Sequence, residues 1–165
     1  MGKDVKNTIH KHILNLSYDN VSLSQYEDFR IYRNATILTP GEWTDSITRE
    51  PVVYSASELE KSATNWKENY LDLDHLFNVD NRIGYVMSPH AEKGEVKADL
   101  YILRNTQKGD DTIKKIDVGL VNGISAELTT TDRYNFSDNK YYANDIVYFG
   151  AAVCCMPACI MARVK

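Results

Sequence analysis

Apolar and polar residues alternate along much of this chain, and the alternation is broken by turn-forming clusters. From Glu95 to Arg104, Val96, Ala98, Leu100 and Ile102 point one way and Lys97, Asp99, Tyr101 and Leu103 the other. That period of two predicts a strand with one wholly apolar face. Arg82 to Met87 (RIGYVM) reads as a second strand, with Pro89 to Gly94 as the turn between them. Arg30 to Leu38 (RIYRNATIL) is a third, ended by Thr39-Pro40-Gly41, and Glu50 to Tyr54 is a short extended segment. Ile124 to Thr129 predicts another strand, Thr130 to Asn139 a polar connection, and Lys140 to Met161 a strand-rich tail with Pro157 as a break or edge position.

Helical signals are fewer. Ser57 with Glu60 fits a capping box, as does Ser55 with Glu58 two residues earlier. Leu59, Ala63 and Trp66 then supply a stripe that predicts a helix to about Tyr70, delivering the chain to His75. Asp110 or Asp111 can cap a second helix through Leu120, on Ile113, Ile116 and Leu120. Residues 1–24 are polar and weakly patterned and read as a flexible arm holding His10 and His12; residues 25–165 read as one domain. The expected fold class is mixed and β-rich, a small closed or curled β-barrel surrounded by short helices.

Composition narrows the functions. A chain of 165 residues with 43% hydrophobic residues can bury a core without disulfides or metal. A formal charge of −4 argues against a broad nucleic-acid surface. No apolar run approaches the roughly 20 residues of a membrane span, and the N-terminal residues lack the apolar stretch of a secretory signal. Cys154, Cys155 and Cys159 crowd into the apolar tail without a second ligand pair, so buried thiols are expected and a zinc site is not. There is no glycine-rich phosphate loop and no internal repeat.

The chemistry-bearing residues are Ser125, in Gly123-Ile124-Ser125-Ala126-Glu127, and His75, in Leu71-Asp72-Leu73-Asp74-His75. Gly123 relieves crowding ahead of Ser125. Glu127 stands where the second glycine of a G-x-S-x-G elbow would be, so that motif is absent. An imidazole is the proper base for a serine nucleophile, since it takes the hydroxyl proton near neutral pH and returns it to the leaving group. Each residue also has an ordinary structural role to weigh, a turn serine and a surface histidine. A β-rich binding module displaying Trp43 and the tyrosines is a competing reading, tested by whether an exposed aromatic patch exists. The segment Tyr148 to Met161 reads as a core or edge strand, with an oligomer interface and a membrane-active segment as alternatives.

The order of Glu50-Pro51-Val52-Val53-Tyr54, Asn69 to His75, Arg82-Ile83-Gly84-Tyr85-Val86, Gly123 to Glu127, and Ala152 to Ala158 resembles the tailed-phage prohead (capsid maturation) proteases. The resemblance covers residues 30 to 165 or so. It implies the fold shared with the herpesvirus assembly proteases, a β-barrel surrounded by helices, and no cofactor. It maps the family's histidine to His75 and its serine to Ser125. Many members carry an acidic residue at the start of the strand leading to the proline-alanine pair; the matching position here is Gly150. The third catalytic role is therefore expected of Asp145, five residues earlier, with Glu127 and His90 as alternatives and Asp74 pointing elsewhere. The implied activity is serine endopeptidase cleavage of scaffold and capsid-protein segments, and of the chain's own termini, in the host cytoplasm and the immature virion (prohead). A homo-oligomer is allowed; nucleic-acid and membrane partners are not expected. A catalytically inactive assembly protein of the same fold is the alternative, supported by Gly150.

Overall fold

The computed structural model describes residues 27–44, 49–155 and 157. Its longest element is strand β8, Lys140–Cys154, which uses both edges. Along one edge β7 (Gly123–Asn135) runs antiparallel, from Gly123 opposite Cys154 to Asn135 opposite Lys140. Two parallel partners divide the other edge: β4 (Trp66–Leu73) beside Tyr148 to Val153, and β3 (Pro51–Tyr54) beside Tyr141 and Tyr142. Beyond β4 lie β5 (Arg82–Glu92), β6 (Glu95–Leu103) and β1 (Phe29–Leu38); β2 (Gly41–Thr44) pairs β3.

The result is one open eight-stranded sheet, and this corrects the expected closed or curled barrel. Among the described residues the ladder ends at β1 and at β2, with β7 branching from β8, and no pairing joins these ends. Alternation along a strand predicts which face is buried but carries no information on which edges pair, so closure was beyond its reach.

The apolar face expected for residues 96–102 is the core: Val96, Ala98, Leu100 and Ile102 are fully buried, packed with Ile37, Leu71, Val86, Ile124 and Ile146. Helix α1, Ala56–Ser62, is capped by Ser55, whose side chain accepts from the Glu58 N–H, so the earlier of the two capping boxes is the one formed. It adds Leu59 to the core. The helix stops at Ser62, not near Tyr70, because Trp66–Leu73 gains a ladder on both sides. Its Leu71 and Leu73 face the core and Tyr70 and Asp72 the opposite side, a period of two that overrides the helical stripe. Helix α2, Gln107–Asp117, is capped by Thr106 and ends before Leu120. Strands β7 and β8 extend into a hairpin whose residues 130–135 replace much of the expected polar connection. No helix among the described residues is long and apolar enough to cross a membrane. The expected N-terminal arm lies outside the described residues.

Two buried tyrosines tie this scaffold to pH. Tyr148 stacks on Trp66 at 4.7 Å and its hydroxyl meets Ser62 at 3.4 Å. Tyr32 donates to Asp117 at 2.8 Å. Burial pushes the Tyr148 phenol up to about 12; burial first, then the Asp117 contact, raises Tyr32 to about 12. Unfolded, both ionise near pH 10. Their stabilisation is therefore complete below about pH 10 and is lost as pH rises toward about 12, where the unfolded state has released its protons first. Urea midpoints should fall across that window, and Tyr148→Phe should flatten the fall; equal slopes for both proteins would contradict this.

Candidate functional site

Gly123 to Leu128 alternates along β7, with Ile124 and Ala126 toward the core and Ser125 and Glu127 on the other face. Register carries that face across the sheet. Ser125 is opposite Ala152, which is opposite Asp72; Glu127 is opposite Gly150, which is opposite Tyr70. Cross-strand partners share a face, so these side chains form two adjacent rows. Gly123 allows the strand to start against β8: a Cβ there would lie 2.3 Å from the Cys154 carbonyl oxygen.

His75 arrives from the end of β4. The Asp74 N–H donates to the Val153 carbonyl at 3.1 Å, and the Leu76 N–H donates to the Leu73 carbonyl at 2.9 Å. The two residues inside that turn, Asp74 and His75, have φ of 48° and 57°. This is a turn of the I′ kind, made without its usual glycine. It reverses the chain directly over the sheet end and presents the imidazole to β7. His75 Nδ1 then lies 3.2 Å from Glu127 Oε1. The histidine is 36% exposed while the glutamate side chain is 1% exposed. A buried carboxylate facing Nδ1 favours a proton on Nδ1 and leaves Nε2 as the acceptor. Ser125 is 9% exposed, and no hydrogen bond joins it to His75 among the described residues.

The remaining expected residues are elsewhere engaged. Asp145 is exposed, with its carboxylate 3.7 Å from Arg133 and its N–H on Glu58 Oε1 at 3.0 Å. His90 sits toward the far end of β5, Nδ1 against the Ser88 carbonyl at 2.9 Å and Nε2 3.9 Å from Glu92. Asp74 is exposed. Trp43 is partly buried and donates to the Thr39 carbonyl, so it is no free contact surface. Cys154 is buried but Cys155 is exposed; Cys159 lies outside the described residues. Tyr148 to Cys154, read as part of a core or edge strand, belongs to central β8. Among the described residues no group of three His, Cys, Asp or Glu side chains is placed to hold a metal.

Gly150 explains how the carboxylate fits. Its φ is 144°, and a Cβ there would lie 2.5 Å from the Tyr70 carbonyl oxygen and 3.0 Å from Glu127 Oε2. The acid expected on β8 is missing, and the space beside its glycine holds an acid from β7.

A further pair went unnoticed in the sequence. Asp72 is fully buried, with Oδ1 3.1 Å from Arg82 Nε, and Arg82 lies 3.7 Å over the Tyr70 ring. Asp72 Oδ2 has no hydrogen-bond partner among the described residues. The signal was the L-D-L-D alternation of residues 71–74, visible only once residues 66–73 are read as a strand.

No family model matches the chain, and no curated protein matches it. Among solved structures it is similar to the bacteriophage T4 capsid assembly protease, gp21, with a TM-score of 0.51 and 10% sequence identity over 79% of this chain and 98% of that one. The fold is thus shared with a phage capsid protease, in agreement with the resemblance found in the sequence.

Two substitutions test this geometry. Gly150→Ala should cost about 1–3 kcal/mol and displace the Glu127 carboxylate, read as a lower urea midpoint and a shifted His75 imidazole resonance. Arg82→Met should cost about 3 kcal/mol by leaving Asp72 buried without its cation; an unchanged midpoint would show that Asp72 is satisfied in another way.

Proposed function

We propose that the chain is a serine endopeptidase in which Ser125 is the nucleophile, His75 the general base and Glu127 the residue that orients the imidazole. The 3.2 Å approach of His75 Nδ1 to a buried carboxylate is the observation that carries this reading. A histidine held in one tautomer, over a strand bearing a serine two residues from that carboxylate, is the arrangement acyl transfer requires. It also favours Glu127 over Asp145 and His90 for the third role.

In the reaction, Nε2 takes the Ser125 hydroxyl proton as Oγ attacks the scissile carbonyl. Nε2 then protonates the departing amine, leaving an acyl-enzyme. Water, deprotonated by the same nitrogen, attacks the ester and releases the acid and the free serine. Glu127 balances the imidazolium formed in each half, without itself taking the proton. Backbone N–H groups beside Ser125 would hold the oxyanion. Contact between His75 and Ser125 would tighten as substrate fills the site.

The likeness to a capsid assembly protease supports scaffold and capsid-protein segments as substrates, with self-cleavage of the chain's own termini, inside an immature shell in the host cytoplasm. Intact-mass time courses with the matching capsid and scaffold proteins test this. Fragments should form with the wild type and be absent with Ser125→Ala. Glu127→Gln should lower kcat on the order of 10³-fold or more, while Asp145→Asn leaves it unchanged. Retained activity in Glu127→Gln with loss in Asp145→Asn would reverse the assignment. Binding without cleavage in every sample would favour the inactive assembly protein.

A further inference from the structure

Large apolar side chains are exposed at few places among the described residues, and most of those places are on the two connections next to His75 and Ser125 in the chain. Val79 is 90%, Val118 78% and Leu120 72% exposed, and Leu76 and Phe77 about half. The first, with Leu76 and Phe77, follows His75; Val118 and Leu120 precede Ser125. The other two, Tyr134 and Phe136, are at the opposite end of β7.

Register explains the gathering. Leu73, Val153 and Ile124 lie in one row, so the chain leaves β4 and enters β7 at the same end of the sheet. Single exposed apolar residues are ordinary, whereas a group of them at one end of the sheet is the kind of patch that marks an interaction site. The first connection is also held out by its own bonds. Asn78 Oδ1 accepts from Asn81 N and Nδ2 at 3.0 and 2.7 Å, and Lys108 on α2 donates to Asn81 Oδ1 at 2.7 Å. Val79 is thereby fixed in solvent within a turn that has hydrogen-bonded structure.

We propose that Leu76, Phe77 and Val79 on one connection and Val118 and Leu120 on the other form an apolar rim that binds extended polypeptide segments with bulky aliphatic or aromatic side chains on both sides of the bond to be cut. This rests on the endopeptidase reading. The occupant is an extended segment and not a folded surface or a second copy, because Ser125 is only 9% exposed. A single strand of polypeptide can reach that hydroxyl while its side chains spread onto the rim; a folded face cannot.

The test uses the full chain, Val79→Lys/Leu120→Lys, and a library of peptides from a digested bacterial proteome. Both substitutions fall on exposed side chains, so the fold is checked by an unchanged melting temperature. Products of the wild type should be enriched in Leu, Ile, Val and Phe near the cut. The double variant should lose that enrichment, with kcat/KM for apolar peptides down about tenfold through KM and kcat unchanged. The same cut-site preference in both proteins would overturn the rim.

The library is also captured on immobilised Ser125→Ala with and without the two lysines. Capture of apolar peptides that the lysines abolish, without any cleavage by the wild type, would keep the rim and reject the endopeptidase. No capture and no cleavage would overturn the rim, as would a concentration-dependent dimer that the lysines dissolve.

Discussion

The arrangement depends on β8 having partners along both edges. A strand of 15 residues paired from end to end with β7 on one side, across two register shifts, and with β4 and β3 on the other, fixes three registers at once. A one-residue slip on either side would send every side chain to the wrong face. The core enforces the register: Ala151 and Val153 must meet Leu71 and Leu73 on one side and Ile124 and Ala126 on the other. With these residues inside, Ser125, Glu127 and the end of β4 have no freedom about where they stand. The placing of Ser125, Glu127 and His75 thus follows from apolar packing on the reverse of the same strands.

That dependence also explains what could be read from the sequence. The apolar face of residues 96–102 and the strands at 30–38 and 82–87 were legible because they are local: a period of two and a turn cluster. Three features were not. Closure of the sheet depends on edges, which alternation leaves unspecified. The segment 66–73 carries a helical stripe and a strand pattern at once, and only pairing with β5 and β8 decides between them. Glu127 was visible as the residue two beyond Ser125, but its contact with His75 depended on β7 staying regular and on His75 turning back toward it. Spacing along the chain does not state either.

The buried acids show how one face can carry charge without losing its packing. Glu127 and Asp72 sit in neighbouring rows, each against a basic side chain that is partly exposed, His75 and Arg82 respectively. Each acid is withdrawn from water while its partner keeps contact with it, which limits the desolvation penalty to one member of the pair. Gly150 stands in the row of Glu127 and Ala152 in the row of Asp72, and their small size leaves room for the carboxylates.

The turn at Asp74 and His75 holds two L-residues in a left-handed conformation, at a cost of roughly 1–2 kcal/mol each. Asn-Gly would close the same reversal with far less strain. Folding energy from the rest of the sheet offsets that strain and holds one ring at one angle against Glu127. Any relief of that strain that frees the ring would yield a sturdier protein in which the His75 ring is no longer held against Glu127.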